Sequence, residues 1–250
     1  MFKKLLYLFS WCKVLKTKQE LRKKIWDLLE EKNVVTFPRP IYGRIPNFIG
    51  ANVAAEKLVE LSLWKKSRAI KSNPDYPQKW VRENALKHGK TVYMAVPRLR
   101  EEKCFLKLDP RKISNINIAS TIKGAFRYGE NVYPEEIEKL DVVIIGSVAV
   151  TKNGAKIGKG GGFSDLEYVI LKNFGIIDDN TPTISTVHPL QIVNYALPME
   201  HHDVPLDYIV TRNEIIKTEK MYKKPKNIEL NILGDRLKDI PILEKLKEKI

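Results

Sequence analysis

The stretch "DVVIIGSVAVTKNGAKIGKGGGFSDLEYVILKNFG", residues 141–175, decides how this chain is read. Residues 141–150 form the most strand-like run in the sequence. Their near-continuous apolar character is typical of a strand buried on both faces of a parallel sheet. Asn153-Gly154 marks a tight turn. Four glycines then fall within five positions, at Gly158, Gly160, Gly161 and Gly162. The run 163–175 returns to helical spacing, with Ser164 and Glu167 set for a capping box and Gly175 as the stop. A glycine loop a few residues past a buried strand lies where open α/β sheets hold their ligands.

Glycines at this density let backbone N–H groups approach a ligand closely and form an anion nest. A helix start just after them adds the positive end of its dipole. Lys156 and Lys159 flank the glycines and suit phosphate charge, and Asp165 suits a hard cation such as magnesium. The loop is not a Walker A motif, because no Gly-Lys-Ser/Thr closes it. Nor is it the dinucleotide fingerprint, which would need glycine where Phe163 stands. Taken alone, the glycines fit a merely flexible turn equally well, and Asp165 a helix-dipole acid.

Outward from this stretch, helical and strand-like runs alternate. Residues 17–33 predict a helix with Leu21, Ile25, Leu28 and Leu29 on its apolar face and a Thr17/Glu20 capping box. Residues 37–50 are a Pro/Gly-punctuated loop, 51–67 helical, 68–73 a short strand, 77–89 a helix stopped by Gly89, and 90–99 a strand. "PTISTV", "LDYIVT" and "EIIKT" supply further strands. The alternation predicts one α/β domain over 1–250, a mostly parallel sheet flanked by helices.

The formal net charge is +14 over 250 residues. Residues 1–24 carry +7 and residues 217–250 carry +4, which leaves +3 for all the rest. The basic excess therefore belongs to two appended ends, a short amphipathic helix over 1–16 and a tail over 217–250. These ends suit weak nucleic-acid contact; the body does not suit it. Two cysteines, Cys12 and Cys104, form neither a disulfide framework nor a metal pair, and fit packing roles in a reducing cytoplasm. No run reaches transmembrane length, so no membrane partner is expected.

Residues 141–165 resemble the signature of the 5-formyltetrahydrofolate cyclo-ligase, or methenyltetrahydrofolate synthetase, family. Its members run from a strand through an Asn/His-Gly turn into a basic-Leu-Gly-basic-Gly-x-Gly-Tyr-Tyr-Asp loop. "KQELR" (18–22) resembles the family's Lys-x-x-x-Arg, "VPR" (96–98) its third strand, and "LPMEHHDVPLDYIVT" (197–211) its last conserved segment. The resemblance implies a sheet like that of ribose-5-phosphate isomerase and CoA-transferase-like proteins. It implies that ATP phosphorylates the formyl oxygen of 5-formyltetrahydrofolate, the neighbouring ring nitrogen attacks, and phosphate leaves. It implies catalytic roles for Lys18, Arg22 and Lys159. Nucleotide contacts would come from Lys18, Arg22, Lys156, Ile157, Gly158, Lys159, Gly160, Gly161, Gly162, Phe163 and Ser164. Substrate contacts would come from Asn52, Arg98 and Phe163, and magnesium ligands from Asp165 and Asp203. The cofactors implied are ATP and Mg2+, and the partner a small folate or pterin.

The chain departs from that pattern on its folate side. Phe163 and Ser164 stand where the family has tandem tyrosines. The acid expected at the opening of the family's second helix is absent from "IPNFIGANVAAEKL", where Ala51 and Asn52 stand in its place. This resembles the divergent branch called methenyltetrahydrofolate synthetase domain-containing proteins, whose loop also runs into "DLEY". Two functions stay open: a cyclo-ligase, and a nucleotide- or RNA-binding accessory protein on the same fold. Glu167 reads either as a cap or as a third acid at the metal. His188, His201 and His202 read as proton-transfer groups or as plain polar contacts.

Overall fold

The computed structural model describes residues 17–226 and 238–247. The amphipathic segment expected over 1–16, with Cys12, lies outside them, as does part of the basic tail. In chain order the elements are α1 (Lys18–Glu31), α2 (Ala51–Leu58), α3 (Ser62–Lys66), β1 (Ala69–Ser72), α4 (Lys79–Lys87), β2 (Thr91–Ala95), β3 (Phe105–Leu108), α5 (Ile116–Ala119) and α6 (Ile122–Tyr128). There follow β4 (Glu130–Val132), β5 (Val142–Ile144), β6 (Ala149–Val150), β7 (Lys156–Ile157), α7 (Phe163–Asn173), β8 (Thr183–Thr186), β9 (Tyr208–Val210), β10 (Ile215–Lys217) and α8 (Ile242–Lys247).

One eight-stranded sheet runs in the order β10-β9-β8-β5-β1-β2-β3-β4. Strands β9, β8, β5, β1 and β2 are parallel. At one edge β3 pairs antiparallel with β2 and β4 antiparallel with β3, and at the other β10 pairs antiparallel with β9. The mostly parallel sheet expected from the alternation of elements is therefore what forms. The chain enters at β1, builds outward through β2 to β4, and then returns to lay β5 on the other side of β1. The direction of winding reverses between β1 and β5, and such a switch point opens a crevice beyond the strand ends. The central strands β1, β5 and β8 are buried at every residue.

The run 141–150 is not one strand. β5 ends at Ile144, and the chain leaves the sheet through Gly146, whose amide donates to the Asn73 side chain at 3.1 Å. No side chain fits there: a Cβ on Gly146 would lie 2.9 Å from Ile45 Cγ1. Val148 then leads into β6, Ala149 and Val150, which pairs with β7 as a separate hairpin. The apolar run is continuous because it crosses from one core into another. Val148 and Ala149 pack in a second core with Ile157 and the buried face of α1.

That face is Leu21, Ile25, Trp26 and Leu29. Trp26 takes the place expected for the half-buried Leu28, and its Nε1 donates to the Arg44 carbonyl at 3.1 Å. The Thr17/Glu20 capping box forms, with Thr17 N donating to Glu20 Oε2 at 2.7 Å. Burying each aliphatic side chain of this face stabilises the docking of α1 by about 1.5–3 kcal/mol. It fixes the rotation of the helix, and so where Lys18 and Arg22 point.

Two buried charged groups hold the sheet ends. Arg82 on α4 is fully buried and donates to the carbonyls of Asn73 (2.6 Å), Ser120 (2.9 Å), Asp75 (3.3 Å) and Pro74 (3.3 Å). Burial lowers its pKa to about 10 against the opposing pull of Asp75, so it stays charged at neutral pH. Asp207 accepts from Thr183 N at 2.9 Å and pairs with Lys224 at 2.7 Å and Lys220 at 3.2 Å. Burial by itself would raise the Asp207 pKa, but Lys224, the Thr183 amide and Lys220 together hold it below the ordinary aspartate value.

A depressed folded pKa means that the unfolded chain binds the proton more readily. The stabilisation is present above the unfolded value and lost as pH falls through the lower folded one. Urea midpoints measured from pH 5 down to 2.5 are expected to fall less steeply for Asp207→Asn than for the unaltered chain. Parallel acid limbs would remove Asp207 from the account.

Cys104 is buried and its thiol is pushed up to about 12 by desolvation, as a packing residue requires. Among the described residues, no helix is long and apolar enough to cross a membrane.

Candidate active site

The glycine loop leaves β7 and closes at Gly162, which has φ +72° and immediately precedes α7. Gly160 has φ +107°, a conformation that L side chains rarely adopt. Gly162 caps α7 with no side-chain hydrogen bond, and the Ser164/Glu167 capping box does not form. Both side chains turn inward instead. Ser164 Oγ donates to Asn73 Oδ1 at 3.1 Å, and Asn73 Nδ2 donates to Glu167 Oε2 at 3.1 Å. Glu167 also pairs with Lys71, which is wholly buried on β1. Each partner in this set satisfies another, as burial of charge demands. Glu167 is thus neither a cap nor a metal-facing acid. Asn73 ties the end of β1 to the start of α7 and, through Gly146, to the end of β5.

Lys18 and Arg22 project from α1 toward this edge, one helical turn apart. Lys18 Nζ lies 2.6 Å from Asp203 Oδ2 and 3.3 Å from Glu200. Arg22 Nε donates to the Gly158 carbonyl at 2.7 Å. Partial burial lowers the Arg22 pKa, and Asp203 acts in the opposite direction. Lys159 reaches across the crevice to Asp75, just past β1, at 2.7 Å. Lys156 does not face outward as a residue flanking the loop was expected to. Its side chain is buried and pairs with Asp165 at 2.9 Å. Position 156 opens β7, and this register turns its side chain under the loop. Ile157 is likewise a core residue. Phe163 is half-buried against the main core.

Asp165 reaches the backbone of the segment that carries Asp203. Asp165 Oδ1 accepts from the amide of Val204, the residue after Asp203, at 2.9 Å. Magnesium keeps several waters and is bound through one or two carboxylates together with substrate phosphates. Asp165 and Asp203 are the oxygen donors here, and each is held by a lysine, Asp165 by Lys156 at 2.9 Å and Asp203 by Lys18 at 2.6 Å, so a cation would have to displace them. Among the described residues no group of three or more His, Cys, Asp or Glu could hold a metal ion without such help.

Other expected residues stand apart. Asn52 is exposed on α2, and Arg98 is exposed beyond the end of β2. His188 accepts from Leu190 N at 3.2 Å and is buried against Phe48, a loop cap with its pKa lowered first by burial and then by Arg212. His202 lies 3.2 Å from Glu200 rather than on an aspartate. Sequence reasoning missed Lys71, Asn73, Asp75 and Arg82. Asp75 is an acid that the structure sets beside the loop, through its pair with Lys159. The sequence signal for it was Asn73-Pro74-Asp75 closing a short strand.

Residues 14–212 match the model of the 5-formyltetrahydrofolate cyclo-ligase family. The chain is 38% identical over 236 residues to a methenyltetrahydrofolate synthase domain-containing protein of Danio rerio, covering 92% of this chain and 62% of that protein. It is 34% identical over 238 residues to the protein of that name in Homo sapiens, again covering 62% of the relative. The chain therefore spans less than two thirds of the length of these relatives. Its fold is similar to that of a 5,10-methenyltetrahydrofolate synthetase of Aquifex aeolicus, with TM-score 0.50 and 18% identity, over 85% of this chain and 98% of that one. A family match over four fifths of the sequence, together with a glycine loop, Lys18 and Arg22 meeting at the switch point of a parallel sheet, makes this chain a member of the 5-formyltetrahydrofolate cyclo-ligase family.

Proposed function

We propose that the chain is an ATP- and magnesium-dependent cyclo-ligase. It would convert 5-formyltetrahydrofolate, or a related formylated pterin, to the 5,10-methenyl form with ADP and phosphate as co-products. The observation that carries this reading is convergence. Residues from three distant segments, Lys18 and Arg22, the loop 156–165, and Asp203, are joined by hydrogen bonds beyond the ends of the central strands.

The work such a catalyst must do is to hold a phosphoryl group against a weak oxygen nucleophile and to damp the charge. Arg22 and Lys18 supply cations along one face of α1, and the amides opening α7 supply donors without side-chain bulk. Lys159 can exchange Asp75 for a phosphate oxygen. Asp165 and Asp203 would hold magnesium, which when bound neutralises phosphate charge. Phe163 offers a ring edge to the pterin, and Asp75 an acceptor for its donors.

The deciding experiment is the absorbance assay for methenyl product with ATP, magnesium and 5-formyltetrahydrofolate. Turnover supports the proposal. Nucleotide binding with no product under any formylated pterin overturns it in favour of a binding protein.

Asp203→Asn gives a finer test. The substitution removes one metal donor and releases Lys18 from its partner at 2.6 Å. Magnesium titrations of turnover are expected to shift to at least tenfold higher concentration, while ATP binding in chelator is kept or tightened. A magnesium dependence identical to that of the unaltered chain would remove Asp203 from the metal site.

A further inference from the structure

The glycine loop is anchored at both flanks to one tripeptide, Asn73-Pro74-Asp75, which follows β1 directly. Lys159 pairs with Asp75 at 2.7 Å, and Ser164 Oγ donates to Asn73 Oδ1 at 3.1 Å. The tripeptide is itself held from below. Fully buried Arg82 donates to the carbonyls of all three of its residues. Asn73 N donates to the carbonyl of Ile144, the last residue of β5, at 3.1 Å. The anchor is therefore fixed to the two central strands on either side of the switch point.

Asn73 is buried, and its partners fix which way its amide points. Two donors, Gly146 N and Ser164 Oγ, face Oδ1 at 3.1 Å each, and the Glu167 carboxylate accepts from Nδ2 at 3.1 Å. Ser164 and Glu167 are three residues apart on α7, so they share a face of the helix. One side chain at the end of β1 thus grips two successive positions on that face, and Lys71 holds Glu167 from the strand below. The grip matters because Gly162 offers α7 no side-chain cap. The first-turn amides, which suit an anion, and Asp165 beside them take their direction from how this turn is rotated.

We propose that Asn73 is a positioning residue for phosphate binding. It touches no ligand itself, and acts through Ser164 by fixing the rotation of the first turn of α7 against the glycine loop. The inference rests on the phosphate-site reading above and deepens it, by naming what keeps that site in shape.

The test is a double-mutant cycle on the whole chain, with ATP and inorganic tripolyphosphate as ligands in calorimetry. It compares the unaltered form with Ser164→Ala, Asn73→Ala and both together. A lost hydrogen bond corresponds to roughly two- to tenfold in affinity, so Ser164→Ala is expected to weaken both ligands by about fivefold. Asn73→Ala, which releases Ser164 and Glu167 together, should weaken them by roughly tenfold or more. In the Asn73→Ala background the serine change is expected to cost nothing further, the mark of two residues acting as one unit. Asn73→Asp combined with Glu167→Gln exchanges amide and carboxylate while keeping the hydrogen bonds and one negative charge beside Lys71. Its affinities should return to within about threefold of the unaltered chain. If Asn73→Ala does not fold, Asn73→Ser takes its place in the cycle, since it keeps a hydroxyl for the Gly146 amide but is too short to hold Ser164.

Full additivity would mean that Ser164 meets the phosphates directly, and would overturn the positioning role. Unchanged affinities in the single variants, with only their melting temperatures lowered, would show a purely structural residue and overturn it too. Failure of the unaltered chain to bind either ligand would instead overturn the phosphate-site reading, and the role of Asn73 with it.

Discussion

Arg82→Met is expected to lower folding stability by about 3–5 kcal/mol, the cost of leaving several buried carbonyls without donors at about 1–3 kcal/mol each, partly relieved by relaxation. Methionine keeps much of the side-chain volume, so the effect isolates the lost donors. Of the four carbonyls that Arg82 serves, three are consecutive after β1, in the segment that carries Asp75. Leaving buried carbonyls without donors costs their desolvation as well as the bonds. For a chain of this size the loss corresponds to a fall in melting temperature on the order of 10 °C. Arg82→Lys should recover only part of it, since an ammonium cannot present the forked donors of a guanidinium. Thermal and urea unfolding of the two variants measure this directly. A loss under 1 kcal/mol for Arg82→Met would mean that the loop after β1 holds its shape unaided.

Gly160→Val should weaken ATP binding by roughly 30- to 100-fold, a loss of about 2–3 kcal/mol. Two effects add. A β-branched residue at φ +107° carries backbone strain of order 1–3 kcal/mol. Its Cβ would also stand 3.4 Å from the Arg22 guanidinium, so the branch methyls push Arg22 away from the Gly158 carbonyl. Gly158→Ala is the matched control, because a Cβ there meets nothing within 4 Å and its φ is not positive. Calorimetry on both variants decides the matter: equal affinities would show that the loop backbone does not approach the phosphates. At Gly161, the most obvious target in the middle of the run, an added Cβ meets the ring of Phe163 at 3.1 Å, and φ is not positive. The sensitive position is set by the dihedral and by Arg22, neither of which the glycine count reveals.

The contrast shows what a sequence exposes. The capping box of α1, the turn at Gly154 and the glycine loop are local, and each was legible because its partners lie within a few residues. The parallel sheet was legible through the alternation of strand and helix. Lys71 with Glu167, Asn73 with Ser164, and Arg82 with Ser120 were not, because each pairs across 38 to 96 positions. A lysine inside a strand pattern reads as an edge or an exposed face until its partner is known. The run 141–150 misled for the opposite reason. Apolar continuity records burial, and burial in two different cores looks the same as burial in one sheet. The edge strands β3 and β4 went unread because their runs of four and three residues, with Lys107, Glu130 and Asn131 among them, carry too short an apolar pattern to mark a strand.

The division into two cores bears on how such a chain can change over generations. The aspartates and the loop helix stand on the large core of the sheet. The cations of α1 stand on a small one made of a single helix, a two-stranded hairpin and a few flanking side chains. Substitutions in separate, non-touching clusters combine almost independently. Drift within the small core would therefore re-aim Lys18 and Arg22 while the sheet keeps its stability. The identity of the ligand can wander on such a scaffold well before the scaffold itself is at risk.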